Sequence, residues 1–345
     1  MKKILIIGGT GIIGKATIAE ALQNGYEVHT IGIKEEKSIP PEVHQIIADK
    51  QEPRQYDAVV GELNRHNEWD VVFDVYNLGK SSAQQTHNNF RDNAKHIVVV
   101  STTLVYDRSK PNTEPIKSTH PLAELGTMGG YADHKIELEH YWQSVKDVPW
   151  TILRPYHIVG AYSLLGCMPD ENRDPRLLEK IKNGETLQLC EGGEIPFNYV
   201  HPQDIARIAL RAAGKPETFG KAYNAVNPTV ITAKEYFELI GKALGQEVII
   251  NNKPIRQVWE ESRGWELTTL PHIYDTSDME RDISFVPSTP IDVAIREAVE
   301  HYPTGEQEIK EIAIHKRMTM EPRPRKIQWL IENDPIRESE KNIRR

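Results

Sequence analysis

The sequence predicts an α/β fold with a doubly wound parallel sheet, followed by a smaller C-terminal lobe. Over the first 154 residues, short continuous apolar runs typical of strands buried on both faces alternate with segments of helical periodicity. A glycine-rich turn joins the first of these runs to the first helical segment. Such alternation is built with right-handed crossovers, so the strands are predicted to run parallel with helices on both faces, the Rossmann-type arrangement.

The first strand and the turn after it carry the clearest functional signal. The apolar run Ile4–Ile7 ends in Gly8-Gly9-Thr10-Gly11-Ile12-Ile13-Gly14, and helical periodicity over Ile12–Leu22 follows at once. Glycines let a backbone approach a pyrophosphate closely, and a helix N-terminus offers free N–H groups and the positive end of a dipole. A strand, a glycine turn and a helix in this order predict a bound dinucleotide cofactor.

Further apolar runs place the remaining strands of the predicted sheet. They are Glu27–Ile31, His44–Ala48, Asp70–Val75, Ile97–Val100 and Trp150–Leu153. The later helical segments between them are Tyr56–Asn64, residues 80–93 and a stretch that starts at Gly130. Because ligands of open α/β sheets lie at the carboxyl ends of the strands, the polar residues that follow each run are the candidate site residues.

A tyrosine and a lysine, Tyr131 and Lys135, are four residues apart near the start of the last of these helical segments. Four residues make about one turn, so both side chains leave the same helix face. A cation beside a phenol lowers its pKa from about 10, and such a phenol can exchange a proton with a substrate hydroxyl. The competing interpretation, favoured by the pair alone, is a half-buried aromatic residue beside a solvated lysine.

Taken together, these stretches resemble the extended, epimerase/dehydratase-like branch of the short-chain dehydrogenase/reductase superfamily. The order and spacing of the motifs match over residues 1 to about 302. The matching stretches are the glycine loop at residues 8–14, Ser101-Thr102-Thr103-Leu104-Val105-Tyr106, Tyr131-Ala132-Asp133-His134-Lys135, Leu153-Arg154-Pro155-Tyr156-His157-Ile158-Val159-Gly160 and Tyr199-Val200-His201-Pro202-Gln203-Asp204-Ile205-Ala206. No single stretch is specific, but the set is.

The resemblance implies a set of cofactor-binding residues at the glycine loop and at strand ends. They are Gly8, Thr10, Gly11, Ile12, Ile13, Gly14, Asp49, Tyr156, His157 and Ile158. In this interpretation the glycines hold the pyrophosphate, Asp49 touches the adenine and residues 156–158 lie near the nicotinamide.

The resemblance also implies a catalytic set of three residues. Tyr131 would be the acid/base, and Lys135 would bind the nicotinamide ribose while keeping Tyr131 acidic. Thr102 matches the serine or threonine that hydrogen-bonds the reacting oxygen in the family. The chemistry agrees, because a hydride moves between carbon and cofactor while a proton moves between oxygen and tyrosine, so two groups must converge on one oxygen.

The end of the second strand leaves the choice between NAD and NADP open. Gly32 stands where a ribose-binding carboxylate is expected, about 20 residues beyond the glycine loop. Lys34 could meet a 2′-phosphate, whereas Glu35 or Glu36 could reach a 2′-hydroxyl.

Two departures from the family pattern bear on the substrate. Nucleotide-sugar enzymes of the branch usually carry an arginine just before the stretch that begins at Tyr199, and Phe197 stands there in this chain. The sugar dehydratases have Asp-Glu after their threonine, and Thr103-Leu104 follow Thr102 here. We therefore expect Thr103 and Phe197 to face the substrate, a nucleotide sugar to be disfavoured and dehydration to be unlikely.

Composition excludes several classes of protein. The hydrophobic fraction is 39%, the charged fraction 27% and the net charge −8, which fits a globular protein and argues against a general nucleic-acid binder. No apolar run approaches the ~20 residues that span a bilayer, and the apolar start is too short for a signal peptide. Two cysteines and thirteen histidines show no metal-binding spacing, so no metal site is predicted, and we expect a cytoplasmic protein.

Three parts are predicted along the chain: an NAD(P)-binding domain at 1–154, a substrate lobe at 155–302 with segments returning to the first domain, and an extension at 303–345. Helices are expected at Leu177–Ile181, Asp204–Ala213 and Ala233–Leu244 in the second part. The extension contains the basic cluster Arg323-Pro324-Arg325-Lys326. The favoured interpretation is a solvated helical segment that packs on the body or on a subunit, and the alternative is a site for an acidic partner or nucleic acid. A homodimer through the Tyr131 helix is a further possibility that the resemblance suggests.

The sequence thus predicts an NAD(P)-dependent enzyme that acts on a small molecule, a secondary alcohol or ketone, with sugar-like compounds among the candidates. It would oxidise or reduce this substrate, or epimerise a carbon by doing both in turn. The alternative is a non-catalytic NAD(P)-binding protein on the same fold, with a regulatory or RNA-binding role.

Overall fold

A computed structural model describes residues 1–108, 115–128, 130–165, 174, 176–261 and 269–302, without the side chains of 259–261. Cys167, most of the irregular segment at 161–174 and the whole extension at 303–345 lie outside these residues. Within them, no helix is both long enough and apolar enough to cross a membrane.

A seven-stranded sheet, parallel throughout, forms the centre of the protein. In spatial order its strands are β3 (His44–Ile47), β2 (Glu27–Gly32), β1 (Lys3–Ile7), β4 (Val71–Asp74), β5 (Ile97–Val100), β6 (Trp150–Pro155) and β9 (Lys221–Ala225). The chain order reverses between β1 and β4, which is where a doubly wound sheet opens a ligand crevice. The predicted α/β fold is confirmed.

Helices cover both faces of this sheet. Helices α1 (Ile12–Gln23) and α6 (Pro202–Ala212) pack together on one face, and α2 (Pro53–Asn64), α3 (Gly79–Phe90) and α4 (Gly130–Ser144) cover the other. Strand β1 shows the division, because Ile4 and Ile6 join the core with α1 while Leu5 and Ile7 join the opposite core. Alternate side chains of a strand point to opposite faces, so both sets are buried.

Strand β9 is a strand that sequence reasoning missed. Lys221 is exposed and the buried Asn224 is polar, so Lys221–Ala225 lacks the continuous apolar run of the central strands. It pairs with β6 in parallel, and α6 packs against the same sheet. Both elements therefore return to the first domain, although they follow its predicted end at residue 154.

A separate hydrophobic core, distinct from those on the two faces of the sheet, lies in a smaller lobe formed by residues after β6. Its helices are α5 (Leu177–Lys182), α7 (Ala233–Leu244), α8 (Ile255–Glu261), α9 (Ser277–Ile283) and α10 (Ile291–Glu300). Strands β8 (Pro196–Asn198) and β10 (Val230–Thr232) pair antiparallel, and β7 (Leu187–Cys190) and β11 (Ile250–Lys253) pair parallel. The apolar residues of α5, α7 and α10 share one cluster, although α9 packs on β9 instead.

Residues 271–275 link the lobe to the loop that follows β5. Asn198 of β8 donates its backbone N–H to the His272 carbonyl at 2.9 Å, and its side-chain oxygen accepts from the Tyr274 N–H at 2.8 Å. The Ile116 N–H in turn donates to the Ile273 carbonyl at 2.8 Å. This segment therefore carries His272 and Tyr274 across the carboxyl ends of β5 and β6.

The buried His96, just before β5, is expected to make the protein less stable at acid pH. Its Nδ1 accepts from the Gly214 N–H at 3.1 Å, and its Nε2 lies 3.0 Å from the Thr151 hydroxyl, which donates onward to the Thr218 carbonyl. Nδ1 must stay unprotonated to accept, and burial lowers the pKa of His96 to about 4. Since the unfolded pKa is near 6.5, the native state binds fewer protons between these values, and stability is lost as pH falls through that window.

In the wild type, the lowered pKa of His96 should decrease the free energy of unfolding by up to about 3 kcal/mol between pH 6.5 and pH 4. We expect His96→Gln to remove this part of the pH dependence. Urea denaturation at pH 7, 5.5 and 4 measures it. His66→Gln is the matched control, because the His66 side chain is 75% exposed. Parallel pH profiles for the wild type and His96→Gln would contradict the prediction.

Candidate active site

The glycine loop between β1 and α1 is shaped for close approach. Gly8 has φ +94°, a backbone conformation that is strained for any residue with a side chain. A Cβ on Gly14 would lie 2.3 Å from the Gly8 carbonyl oxygen, so only glycine fits there. A Cβ on Gly11 would meet only that oxygen, at 3.7 Å, so the outer side of the loop is open. None of the described side chains caps the N-terminus of α1, which begins after Gly11.

These features fit the pyrophosphate of a dinucleotide. The first N–H groups of α1 have no intrahelical acceptor, and an anionic oxygen satisfies them in the field of the helix dipole. The predicted loop residues Thr10 and Ile12 are half-buried at this edge, while Ile13 packs into the core at 6% exposure. The loop residues predicted from the sequence are thus brought together at the crevice.

The predicted adenine-side residues lie at the ends of β2 and β3. Lys34 is exposed, Asp49 is half-buried, and the Asp49 carboxylate accepts from the Gln51 N–H at 2.8 Å. Glu36 accepts from the Ser38 N–H and hydroxyl, and these bonds hold the pKa of Glu36 below its ordinary value, with Lys15 and Lys34 adding to the effect. Gly32 lies against Thr10, whose methyl a Cβ would meet at 3.4 Å.

Tyr131 and Lys135 share one face in the first turns of α4. Tyr131 is half-buried, Lys135 is 3% exposed, and the Lys135 Nζ lies 5.7 Å from the centre of the Tyr131 ring. The solvated lysine of the competing interpretation is therefore not what the fold contains. The cation is buried beside the phenol.

The Lys135 ammonium is held by backbone and side-chain oxygens. It donates to the Asn77 carbonyl at 2.9 Å, to Asn77 Oδ1 at 2.6 Å and to the Val100 carbonyl at 2.9 Å. An ammonium has three N–H groups, so all are engaged within the protein. A contact with a ribose hydroxyl would replace one of these three bonds.

Burial, with a smaller contribution from the nearby Lys50 cation, lowers the pKa of Lys135 to about 8, although the Asp74 and Glu139 carboxylates act against this shift. Asp74 and Lys50 form a buried ion pair at 2.8 Å, and the Thr86 hydroxyl donates to the same carboxylate oxygen at 2.6 Å. The Asp74 carbonyl also accepts from the Asn77 amide at 2.7 Å. This network fixes the turn that holds Lys135.

Sequence reasoning missed Asn77, Asp74 and Lys50. The available signal was a set of polar residues directly after buried strands, since Lys50 follows β3 and Asp74 ends β4. Their pairing is invisible in the sequence because 24 residues separate the two charges.

Thr102 and Thr103 lie where β5 ends. Thr102 is 6% exposed, and its Oγ1 accepts from the Leu104 N–H at 3.3 Å as it opens a short 3₁₀ helix over Thr103–Val105. Thr103 is 2% exposed. Val100, which accepts from Lys135, is two residues before Thr102, so the fold brings the three predicted catalytic residues to one strand end.

The other predicted residues line the region after β6. Tyr156 stacks on His272 with ring centres 4.4 Å apart, His157 contacts Phe197 edge-on at 5.5 Å, and Ile158 pairs with Val200. Phe197 is 1% exposed inside the core of the lobe. Its predicted contact with a substrate stays a prediction.

A buried ion pair between Arg154 and Glu139 joins β6 to α4. Arg154 of β6 donates to both oxygens of Glu139, with Nε to Oε1 at 2.9 Å and Nη2 to Oε2 at 2.5 Å. Its Nη1 reaches the Tyr106 hydroxyl at 2.8 Å and the Ser118 carbonyl at 2.7 Å. Although burial opposes it, the Glu139 carboxylate raises the pKa of Arg154 above its ordinary value.

One group of potential metal ligands lies far from this site. Glu27, His29 and His44, at the starts of β2 and β3, place one ligand atom each within 4.8 Å of one another. The Lys3 ammonium already pairs with Glu27 at 3.1 Å. The spacing of these residues along the chain gives no sign of the grouping, which arises because His29 and His44 are register partners on adjacent strands.

The sequence profile of the NAD dependent epimerase/dehydratase family matches residues 4–225. The chain belongs to this family. The match runs from β1 through β9, so it includes the glycine loop, α4 and the strand ends described above. Membership confirms the predicted enzyme class and the resemblance to the epimerase/dehydratase branch, and it confirms a nicotinamide dinucleotide as the cofactor because the family is NAD-dependent.

Relatives of the epimerase/dehydratase family agree with this assignment. UDP-glucose 4-epimerase of Bacillus subtilis is 27% identical over 290 residues, which cover 71% of this chain and 83% of the relative. A solved epimerase from Methanothermobacter thermautotrophicus superposes with a TM-score of 0.71 at 15% identity, over 90% of this chain and 94% of that one. A dTDP-glucose 4,6-dehydratase of Bacillus anthracis in complex with NAD gives 0.68 at 19% identity, over 90% and 100%. The two structures show a shared fold.

Proposed function

We propose that the protein oxidises or reduces a secondary alcohol or ketone, or epimerises a carbon by both steps, with Tyr131 as the acid/base. The observation that carries the proposal is the buried Lys135 ammonium 5.7 Å from the Tyr131 ring, at the strand end that also bears Thr102. A buried cation beside a phenol favours the phenolate. Catalytic groups with environments of this kind cluster at active sites.

The proposed chemistry divides the work between cofactor and protein. The nicotinamide, when bound, accepts or supplies the hydride. In the oxidation direction the Tyr131 phenolate takes the hydroxyl proton while the carbon loses its hydride, so the C–O single bond becomes a carbonyl. In reduction the Tyr131 phenol returns that proton to the oxygen. Thr102 would hold the oxygen by a hydrogen bond, and Lys135 would stabilise the phenolate.

Two relatives suggest what kind of substrate to test. A solved UDP-glucose 4-epimerase of Thermotoga maritima contains UDP-glucose, and a solved epimerase of Methanobrevibacter ruminantium contains UDP-N-acetylmuramic acid. We infer a sugar-like alcohol as the substrate class. Phe197 is uncharged and buried in the lobe core, so we do not propose that this position binds the diphosphate of a nucleotide sugar. We also propose a homodimer through α4, the helix that carries Tyr131.

Thermal denaturation with NAD, NADH, NADP and NADPH tests the cofactor site. We expect NAD or NADH to raise the midpoint, because a ligand at 100 times its Kd adds about 2.7 kcal/mol of stability. Gly14→Ala should abolish the shift, since its Cβ would meet backbone at 2.3 Å. Gly61→Ala is the matched control, because a Cβ there meets nothing within 4 Å.

A wild-type midpoint that none of the four nucleotides changes would discredit the proposed function. A preference for the phosphorylated pair would instead identify Lys34 as a contact of the 2′-phosphate, and Lys34→Ala should then reduce that preference.

A further inference from the structure

Arg108 is a buried cation to which the proposed mechanism gives no part. It follows the 3₁₀ helix after β5 and is 7% exposed. No carboxylate of the described residues lies within ion-pair distance of its guanidinium. Of the other buried cations that the preceding sections describe near this site, Arg154 and Lys50 each have a carboxylate partner. The third, Lys135, has all three N–H groups bonded to carbonyl and amide oxygens.

The partners of the Arg108 guanidinium among the described residues are a carbonyl, an imidazole and a phenol. Its Nη2 donates to the Pro271 carbonyl at 2.5 Å, and its Nη1 lies 3.3 Å from His272 Nδ1. The same nitrogen of His272 is 2.8 Å from the Tyr274 hydroxyl, so it is already shared. A guanidinium has five N–H groups, and a buried charge is costly unless it is paired and hydrogen-bonded.

Two residues that contact Arg108, His272 and Tyr274, also contact residues of the proposed active site. Through His272 it adjoins Tyr156, whose ring stacks on the imidazole at 4.4 Å. Through Tyr274 it adjoins Thr103, since both Arg108 and the Thr103 hydroxyl lie beside the Tyr274 phenol. The glycine loop that fits the cofactor pyrophosphate is at the end of β1, two strands away from β5 in the sheet.

We propose that Arg108 binds an anionic group of the substrate, a carboxylate or a phosphate, close to the carbon that reacts. This inference rests on the proposed function and narrows its substrate class from a sugar-like alcohol to an acidic one. The anion supplies the charge that the described residues do not, and the planar guanidinium suits two parallel hydrogen bonds to either group. Tyr274 and His272 would hold Arg108 in place as positioning residues.

Titration of the full chain, saturated with NAD, with two small anions tests the proposal. The probes are inorganic phosphate and D-glucuronate, each at constant ionic strength maintained with sodium chloride. The thermal midpoint and isothermal calorimetry give the affinity. We expect at least one probe to bind saturably, and which one binds distinguishes a phosphate from a carboxylate.

Variants of Arg108 connect this binding to the side chain. Arg108→Gln is expected to weaken the bound anion about 10- to 100-fold, the worth of one or two charge-assisted hydrogen bonds. Arg108→Lys keeps a charge without the planar fork, so it should bind more weakly than the wild type and more tightly than Arg108→Gln. Arg296→Gln is the matched control, because Arg296 is 55% exposed and pairs with Asp292 on α10.

The proposal is overturned if neither anion binds the wild type saturably, or if both Arg108 variants bind with wild-type affinity. If Arg108→Gln does not fold, Arg108→Lys decides between these outcomes. Failure of the proposed function is a separate outcome, because it appears as the absence of a midpoint shift with all four of NAD, NADH, NADP and NADPH before any anion is added. The affinity for the anion is measured whether or not a nucleotide shifts the midpoint.

Discussion

Replacement of Tyr131 by Phe is expected to lower turnover about 10²- to 10⁴-fold, the usual effect of removing a general acid or base. The substitution removes one oxygen from a half-buried ring on α4 and leaves Lys135 with its three acceptors. The change should therefore act on proton transfer and leave the cofactor-induced midpoint shift as in the wild type. Spectrophotometric NADH formation or consumption, with a secondary alcohol or ketone identified by screening, measures it.

Tyr141→Phe is the control for this experiment. Tyr141 lies on the same helix, and its hydroxyl bonds to His87 at 2.7 Å rather than to a residue of the site. It should keep wild-type turnover. If Tyr131→Phe were as active as the wild type, the acid/base role would be wrong even though the family assignment would stand.

The largest loss of stability is expected from Arg154→Met. The change leaves Glu139, which is 0% exposed, as a buried carboxylate without its cation. Removing one partner of a buried pair costs about 3–5 kcal/mol, whereas replacing both partners by apolar residues is often nearly neutral. We therefore expect Arg154→Met to lower the free energy of unfolding by that amount and Arg154→Met/Glu139→Leu to recover much of it. Urea denaturation at pH 7 measures both.

An exposed pair provides the comparison. Arg296→Met breaks the ion pair with Asp292 on α10, whose side chains are 55% and 47% exposed, and should change stability by less than about 1 kcal/mol. A double variant no more stable than Arg154→Met would show that the bonds from Arg154 to Tyr106 and Ser118 matter more than the charge pair.

The sequence alone determined the features that depend on neighbours along the chain. Apolar runs located six strands of the sheet, and the glycine spacing located the loop at residues 8–14, because periodicity and turn chemistry are local properties. The four-residue spacing of Tyr131 and Lys135 likewise fixed their common helix face. Strand β9 was missed since Lys221–Ala225 has no continuous apolar run and contains a buried asparagine.

Only the tertiary structure decided what surrounds these residues. Lys135 is held by Asn77 and Val100, 58 and 35 residues away, and Arg108 meets His272 at a separation of 164 residues. The fold also buries Phe197 in the lobe core, where the sequence predicted a substrate contact. Burial and charge pairing depend on which distant segments pack together, and no local pattern encodes that. The sequence therefore predicted the reacting groups, whereas the packed structure decided their partners and showed Arg108 to be a buried guanidinium for which the described residues provide no carboxylate.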